Sequence, residues 1–312
     1  MGSQNNIINK LALGIDIGGT NVAFGTVDEQ GNISNHSSFK TGEQETAQIL
    51  IDKIYAYCEE NELLGSIIGI GIGAPNGNAK TGRIEFAPNL PWKGIIPLVE
   101  MVQTKFNKPA LLINDANAAA VGEKMFGAAK NLSDFVSITL GTGLGSGIII
   151  NNQLIDGYNG FAGEFGHIRV VPNGRLCGCG RNGCLETYAS STGAVRTYNE
   201  THPNEKISAQ EIFEKAENGD QFALEVVDYT AEVLGNALAD FACFSDPQAY
   251  ILFSGIAQSG AFFTDKVNFH FEAALLPILK GKIKIITSEL HNKNAAILGT
   301  AASVFWSNKN EI

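Results

Sequence analysis

One histidine and three cysteines lie close together in the chain and have the chemistry of metal ligands. His167 is followed by Cys177, Cys179 and Cys184, and glycines separate the cysteines. Three thiolates and one imidazole make up a closed tetrahedral set of the kind that holds structural zinc. A redox pair or unligated thiols are the alternatives, and the clustering favours the metal. Because four protein ligands leave no position for water, this spacing predicts a structural zinc ion that stabilises a loop.

Two glutamates, Glu164 and Glu186, stand on either side of this group in the sequence. A loop held by zinc would fix both carboxylates in place, where they could bind a polar ligand. The alternative is that both are ordinary solvated surface residues.

Two glycine-rich segments could bind phosphate. The first glycine segment is Gly18-Gly19-Thr20-Asn21, and the second is Gly141-Thr142-Gly143-Leu144-Gly145. Because glycine lacks a Cβ atom, backbone N–H groups can approach phosphate oxygens closely, and a threonine hydroxyl adds a further donor. For one segment alone an ordinary hairpin turn is the better interpretation, but two could hold the two ends of a triphosphate. The chain has no G-x-x-x-x-G-K-[ST] motif, which excludes a Walker-type P-loop.

Carboxylates and amides stand next to the apolar runs. Asp16 comes just before the first glycine segment, where a carboxylate could hold Mg²⁺ through water or simply cap a turn. Asp115 follows the apolar run 110–113 and precedes a helix, so a catalytic role and an N-cap role are about equally supported. Asn114 and Asn89 carry the amides that a polyhydroxylated ligand requires, although asparagine is also a common turn former.

Strands and helices alternate along the chain, which predicts α/β architecture. In the first half, apolar runs predict strands at 11–17, 22–27, 67–72 and 110–113, and helical periodicity predicts helices at 46–64, 97–106 and 116–126. In the second half, helices are predicted at 209–218, 220–244, 264–276 and 294–306, with strands at 250–253 and 284–287. Asp16 and Asp115 are thereby placed at strand ends.

The opening pattern returns further along the chain. Residues 13–25 can be laid over 136–148 without a gap, and in both copies a strand runs through small residues into a second strand. Glycine-rich hairpins are common enough for such a match to arise by chance, but two copies at this spacing favour a duplicated fold. We therefore expect two related domains with a cleft between them, 1–116 with the C-terminal helix 295–312, and 117–294.

Composition narrows the function classes. The 312 residues include 35 glycines, about 11% against a usual ~7%, which indicates tight turns or close approach of the backbone to ligands. A net charge of −10 without a Lys/Arg cluster argues against a nucleic-acid partner or a membrane surface. No run approaches the ~18 apolar residues of a membrane span. Clustered cysteines suit a reducing compartment, so we expect a cytoplasmic protein.

Taken together and in this order, the motifs resemble those of the ROK family (repressors, open reading frames and kinases) in the actin-like ATPase superfamily. The resemblance covers nearly the whole chain from Leu13 to the last helix. It rests on Asp16-Ile-Gly-Gly-Thr-Asn21, Gly73-Ala-Pro-Asn76, Asn89-Leu-Pro-Trp92, Asn114-Asp-Ala-Asn117, Gly141-Thr-Gly143, Gly163-Glu-Phe-Gly-His167 and, most specific, Cys177-Gly-Cys-Gly-Arg-Asn-Gly-Cys-Leu-Glu186.

The resemblance implies an ATP-dependent sugar kinase of two actin-like (ribonuclease H-like) domains that close over ATP, Mg²⁺ and a hexose. It assigns Asp115 as the general base that takes the proton from the sugar hydroxyl. The sugar pocket that it implies is lined by Gly73, Asn89, Asn114, Asp115, Glu164, His167 and Glu186, with His167 also bound to zinc.

Asp16 and the two glycine segments are the predicted site for Mg²⁺ and the phosphates of ATP. The resemblance adds an adenosine motif at a strand end, which family members usually complete with two glycines. Here that motif is Phe253-Ser-Gly-Ile256, so Ser254 departs from the pattern and Gly255 keeps it. Serine is small, and we expect nucleotide binding to survive.

Glucose is the first choice of substrate, with glucose 6-phosphate as the product. Kinases for N-acetylmannosamine, N-acetylglucosamine, fructose and allose share most of these motifs and stay open as alternatives, because discrimination at one ring position rests on few pocket groups. A transcriptional repressor or a non-catalytic sugar sensor of the family is the competing class. Family repressors carry an added N-terminal helix-turn-helix, for which we expect no room before Leu11. A homodimer is common in the family and is expected here.

Overall fold

The chain forms two compact units, each with its own sheet and core. The computed structural model describes residues 10–43, 46–85, 90–203, 205–254, 261–290 and 294–310. The first unit is Met1–Phe126 with Lys293–Ile312, and the second is Gly127–Asn292. The division that the sequence predicts at residue 116 falls inside a helix, which stays in the first unit to its end at Phe126.

The elements of both units follow the predicted alternation. The first unit contains β1 (Leu11–Ile17), β2 (Asn21–Val27), β3 (Ile33–Lys40), α1 (Ala47–Glu60), β4 (Ile67–Gly73), β5 (Gly77–Asn78), β6 (Arg83–Ile84), α2 (Leu98–Phe106), β7 (Ala110–Ile113) and α3 (Asp115–Phe126). The second contains β8 (Phe135–Leu140), β9 (Leu144–Ile150), β10 (Gln153–Leu154), α4 (Glu186–Ala189), α5 (Ser191–Asn199), α6 (Ala209–Glu217), α7 (Gln221–Ser245), β11 (Ala249–Ser254), α8 (Ala261–Ala274) and β12 (Lys284–Thr287). The last helix, α9 (Ala295–Asn310), belongs to the first unit. The sequence patterns predict neither α4 nor α5.

The sheets of the two units have the same topology. The strand order is β3-β2-β1-β4-β7 in the first unit and β10-β9-β8-β11-β12 in the second. In each order the first three strands are antiparallel and the last three are parallel. The hairpins β1–β2 and β8–β9 are the two copies of the sequence repeat. The prediction of a duplicated α/β fold is confirmed.

The core of the first unit lies between its sheet and helices α1 and α2. Leu13, Ile15 and Ile17 alternate along β1 toward this side, as a strand with one face in a core requires. Helix α1 contributes Leu50 and Ile54 at helical spacing, which places both on one face of the helix.

Glycine occupies the opposite face of β1 and β4, and helix α9 packs directly on it. A Cβ atom at Gly14 would lie 2.4 Å from the carbonyl oxygen of Ile297, and one at Gly71 would lie 1.8 Å from that of Thr300. Only glycine lets the helix backbone come this close. Part of the glycine excess therefore serves helix packing rather than ligand binding, which the sequence patterns do not indicate.

The core of the second unit lies between its sheet and helices α4 to α8. Val136, Ile138 and Leu140 alternate along β8 toward this core. Helix α7 is capped by Asp220, whose carboxylate accepts a hydrogen bond from the N–H of Ala223 at 2.9 Å. Across the described part of the chain, no helix combines the length and the apolar character needed to cross a membrane.

Candidate active site and metal cluster

The parallel strands of the first unit end at one edge of the sheet, and predicted site positions meet there. Asp16 lies opposite Gly73, and Gly73 lies opposite Ile113 on the next strand. Asn114 and Asp115 follow Ile113 directly. The carboxyl ends of parallel strands are where open α/β sheets bind ligands. The fold thus brings Asp16, Gly73, Asn114 and Asp115 to the same edge.

Gly73 keeps space open beside the first of these carboxylates. A Cβ atom at position 73 would lie 3.4 Å from Oδ1 of Asp16 and 2.8 Å from the Cγ2 methyl of Thr300. A side chain here would therefore press on helix α9 and crowd the Asp16 carboxylate.

Asn114, rather than Asp115, caps helix α3. Its Oδ1 atom accepts hydrogen bonds from the N–H groups of Ala116 at 2.9 Å and Asn117 at 3.4 Å, as an N-cap side chain does. Asp115 is the first residue of the helix and accepts through Oδ1 from the N–H of Ala116 at 2.8 Å. The cap role that the sequence leaves open for Asp115 is filled by its neighbour.

Both carboxyl groups at this edge hold a proton more tightly than usual. Burial, together with the charge of Asp115, raises the pKa of Asp16 from 3.8 to about 6. Loss of surrounding water also raises the pKa of Asp115, although hydrogen bonds from the backbone, that of Ala116 among them, oppose the rise. The Asp115 side chain nevertheless reaches solvent. An accessible but poorly hydrated carboxylate suits general base catalysis.

The first glycine segment is held through its carbonyl groups. Thr41 is fully buried and donates from Oγ1 to the carbonyl of Gly18 at 2.7 Å and from its N–H to that of Thr20 at 2.9 Å. The N–H of Gly18 donates to the carbonyl of Asn21 at 2.9 Å and closes the turn. Among the described residues, none accepts a hydrogen bond from the N–H of Gly19 or Thr20. Both N–H groups are therefore available to an anion.

Helix α5 holds the second glycine segment in a corresponding way. The carbonyl of Gly141 accepts a hydrogen bond from the N–H of Ser191 at 2.9 Å. The carbonyl of Thr142 accepts one from Oγ1 of Thr192 at 2.6 Å. Two carbonyl groups of this segment are thus directed toward the start of the helix.

The N–H groups of the second glycine segment differ in whether they have an acceptor in the protein. The N–H of Leu144 donates a hydrogen bond to Oε2 of Glu186 at 3.3 Å. Within the ranges that the structure describes, the N–H groups of Thr142 and Gly143 have no acceptor. This segment also offers backbone donors to an anion, as the sequence predicts for a phosphate-binding turn.

The four predicted metal ligands come together. His167, Cys177, Cys179 and Cys184 each place one ligand atom within 4.8 Å of all the others. Two of the distances between ligand atoms are 3.7 Å, one from Cys177 Sγ to His167 Nδ1 and one from Cys179 Sγ to Cys184 Sγ. Zn–S bonds of about 2.3 Å at tetrahedral angles give an S···S edge of about 3.8 Å. These two distances are compatible with a structural zinc site, and Nδ1 is the ring atom of His167 that faces the Cys177 thiol.

The thiols of this cluster differ in acidity. Burial raises the pKa of Cys177 and of Cys184. Burial also opposes ionisation of Cys179, but hydrogen bonds from Arg181 and from the two other thiols lower its pKa to about 6. Cys179 is the exposed member of the set. The thiolate is the form that binds metal, and Cys179 is the thiol of the set whose lowered pKa favours that form at neutral pH.

His167 lies between two carboxylates, which are the predicted pocket residues. Its Nδ1 atom is 3.8 Å from Oε1 of Glu186, and its Nε2 atom is 3.9 Å from Oε2 of Glu164. Oε1 of Glu186 also accepts a hydrogen bond from the thiol of Cys177 at 3.1 Å. Glu186 is therefore not an ordinary solvated carboxylate, because it joins the metal cluster to the second glycine segment.

Gly166 lets the segment with Glu164 and His167 lie directly on the hairpin β8–β9. A Cβ atom at this position would be 2.0 Å from the carbonyl oxygen of Leu144. Because that neighbour is backbone, no side-chain movement could make room for it. Residues Phe165–His167 form one 3₁₀ turn at this contact, which fixes where the imidazole and the carboxylate stand.

The remaining predicted positions lie at strand ends or outside the described residues. Ser254 ends β11, where its backbone lies opposite Leu140 in the parallel pairing with β8. Because Gly141 follows Leu140, the backbone at 254 shares a sheet edge with the second glycine segment. Asn89 and Gly255 lie outside the described residues.

Thr41 and Thr192 support the two glycine segments, and the sequence patterns miss both. The run Ser190-Ser191-Thr192 has the composition of a helix N-cap, which could have indicated the start of α5. Nothing in the local sequence marks Thr41, whose bonded carbonyl lies 23 residues away in the chain.

Known proteins similar to this chain cover almost its full length. The model of the ROK family matches residues 12–305. The glucokinase of Streptomyces coelicolor is 37% identical over 314 residues, which cover 93% of this chain and 96% of that protein. The crystal structure of a ROK family glucokinase from Streptomyces griseus in complex with glucose and AMPPNP is 37% identical, covers 94% of this chain and 98% of that chain, and gives a TM-score of 0.78. The xylose repressor of Bacillus spizizenii is 34% identical over 305 residues, which cover 96% of this chain and 78% of that protein.

Proposed function

The chain belongs to the ROK family, and on this premise we propose that it is an ATP-dependent hexose kinase with glucose as its first substrate. Similarity to two glucokinases over more than nine-tenths of the chain supports this function. The observation that carries it is the carboxylate edge of the first unit. There Asp115 reaches solvent and has a raised pKa, and Asn114 rather than Asp115 caps the helix.

Asp115 acts as the general base. An aliphatic hydroxyl is a weak nucleophile, so a carboxylate within hydrogen-bond reach assists by taking its proton as the bond to the γ-phosphorus forms. The bond from the γ-phosphorus to the bridging oxygen breaks, ADP leaves, and Asp115 keeps the proton until it is released to solvent. The raised pKa of Asp115 makes it a stronger base than an ordinary aspartate.

The backbone of the two glycine segments binds the phosphates of ATP. The donors are the N–H groups of Gly19 and Thr20 and those of Thr142 and Gly143, which lack protein acceptors in the described part of the chain. Mg²⁺, when bound, supplies charge neutralisation for the transferring phosphoryl group. Asp16 would hold this ion through water, while Asn21, Ser254 and Gly255 would complete the nucleotide site.

The sugar is bound by polar side chains. Glu164, His167 and Glu186 accept hydrogen bonds from, or donate them to, its hydroxyl groups, and Asn114, Asn89 and the backbone at Gly73 contribute further contacts. Nδ1 of His167, which faces the Cys177 thiol, would hold the metal, and Nε2 would remain for the sugar, on the side where Glu164 stands.

A structural zinc ion belongs to this site. His167, Cys177, Cys179 and Cys184 would hold it, as the 3.7 Å edges of the cluster support. Bound zinc supplies a fixed tetrahedral connection among segments that are distant in sequence, and it leaves no position open for a substrate.

A coupled assay with ATP and a panel of hexoses tests the function and names the substrate. We expect the highest kcat/KM with glucose. A higher value with N-acetylmannosamine, N-acetylglucosamine, fructose or allose would assign that sugar instead. Absence of turnover with every hexose would contradict the kinase function.

A sugar-responsive regulator is the second candidate, favoured by the similarity to the xylose repressor. Such a protein would bind a sugar without phosphorylating it. Calorimetric sugar binding, combined with no ADP release in the coupled assay, would support the regulator and contradict the kinase.

We also infer a cytoplasmic homodimer. Five free thiols, three of them in one cluster, are compatible with a reducing compartment in which ATP is available. Sedimentation of the purified protein at several concentrations tests the dimer.

A further inference from the structure

The start of helix α5 is tied to the segment that carries Glu186. Ser190 caps the helix, because its Oγ atom accepts a hydrogen bond from the N–H of Gly193 at 3.1 Å. The same hydroxyl donates to the carbonyl of Glu186 at 2.6 Å. The helix therefore begins at a fixed place relative to α4 and to the metal cluster that Glu186 contacts.

Arg175 anchors the body of α5 to the loop that leads into the cysteines. Its side chain is only 8% exposed. It donates to the carbonyl of Thr187 at 2.8 Å and to Oγ1 of Thr197 at 3.0 Å, and it pairs with Glu200 at 2.8 Å. The guanidinium also lies 4.5 Å from the centre of the Tyr188 ring. Helix α5 is thus held along its length and can serve as a rigid support.

The only groups that α5 offers to the second glycine segment, among the described residues, are the Ser191 N–H and the Thr192 hydroxyl. The Ser191 N–H donates a hydrogen bond to the carbonyl of Gly141, and the Thr192 hydroxyl donates one to the carbonyl of Thr142. A peptide group whose carbonyl is fixed on one side directs the N–H of the next residue to the other side. The bond from Thr192 to the carbonyl of Thr142 therefore orients the N–H of Gly143.

We propose that Thr192 is a positioning residue for ATP, which acts on the phosphates through the backbone of the second glycine segment without touching them. Thr192 itself is exposed and has no place in the metal cluster. The proposal rests on the proposed function, since it takes this segment to be a phosphate site. Loss of the hydroxyl leaves the segment in place through Ser191 but lets the peptide between Thr142 and Gly143 rotate.

Replacement of Thr192 by valine tests this, because valine keeps the shape and removes the donor. One hydrogen bond contributes about 1 kcal/mol, so we expect KM for ATP to rise about fivefold in Thr192→Val. KM for glucose and the zinc content should stay unchanged. Thr192→Ser, which keeps the hydroxyl, should restore KM for ATP. Thr201→Val is the matched control, because Thr201 is an exposed threonine beyond the end of α5, away from the second glycine segment, and this variant should keep the wild-type KM.

The dissociation constant of AMPPNP, measured by calorimetry, separates this proposal from the kinase assignment. It should rise about fivefold in Thr192→Val whether or not any hexose is turned over. An unchanged constant in that variant, an equal loss of glucose affinity, or a failure of the wild-type protein to bind AMPPNP would each overturn the positioning role. A lack of turnover with intact AMPPNP binding would contradict only the kinase function.

Discussion

The carboxyl groups of Asp16 and Asp115 interact electrostatically. Burial is the larger cause that raises the pKa of Asp16 from 3.8 to about 6, and the charge of Asp115 adds to the rise. The two residues come from different strand ends, β1 and β7, with β4 between them. Two like charges in a poorly hydrated place repel each other and cost folding free energy unless a cation or a proton is present. The first unit therefore holds two carboxyl groups that repel each other at the place where the proposed chemistry needs one general base and one Mg²⁺-binding carboxylate.

Replacement of Asp16 by asparagine should stabilise the protein in the absence of Mg²⁺. The pKa of Asp16 is higher in the folded chain than its ordinary 3.8, so the folded state loses stability as the pH rises from about 4 to about 6. Above that range the loss is complete, and it amounts to up to about 3 kcal/mol. Chemical denaturation in EDTA should show Asp16→Asn more stable than wild type at pH 7.5, with the difference vanishing below about pH 4.

The matched control for this prediction is Asp240→Asn, an exposed aspartate on α7. Its free energy of unfolding should stay within about 0.5 kcal/mol of wild type. An Asp16→Asn protein that is less stable than wild type at pH 7.5 would show that Asp16 is a favourable charge in the fold.

Replacement of Cys179 by serine should release zinc and destabilise the second unit. Cys179 is the exposed thiol of the cluster, so the change itself removes little packing. Cys243 is exposed as well but lies outside the cluster, which makes Cys243→Ser the control. Metal analysis should give about one zinc per chain for wild type and for the control, and much less for Cys179→Ser, with a lower Tm. Full zinc content in Cys179→Ser would exclude it as a ligand.

An alanine at position 166 should disturb the predicted pocket, whereas an alanine at 178 should not. The new Cβ in Gly166→Ala would lie 2.0 Å from the carbonyl of Leu144, while nothing lies within 4 Å of one at Gly178. Overpacking of this kind costs about 1–3 kcal/mol. Thermal unfolding should show a lower Tm for Gly166→Ala alone, together with a higher KM for the hexose. Equal Tm values for the two variants would mean that the turn at Phe165–His167 adjusts freely.

Much of this site can be predicted from the sequence because its groups are local. The four predicted metal ligands lie within 18 positions of one another, and Asp16 and Asp115 adjoin apolar runs that become strand ends. The supports of the glycine segments cannot be predicted in this way. Thr41 and Thr192 bond to carbonyl groups 23 and 50 residues away, and only the folded chain brings them together.

The meaning of individual glycines is also set by tertiary structure. Gly14 and Gly71 look in the sequence like other strand glycines, but they lie under the backbone of α9. The cap of α3 is a third case. Asn114 and Asp115 are both good capping residues by type, and the hydrogen bonds alone assign the role to Asn114.

The most direct test of the account is the rate of phosphoryl transfer in Asp115→Asn at saturating ATP and glucose. Asparagine keeps the shape of the side chain and cannot take a proton, so kcat should fall by about 10²–10⁴. Calorimetry should show glucose and AMPPNP bound within about threefold of wild type, and the control Asp265→Asn, an exposed aspartate on α8, should keep the wild-type kcat. A kcat for Asp115→Asn equal to that of wild type, with glucose and ATP saturating, would contradict the assignment of Asp115 as the base.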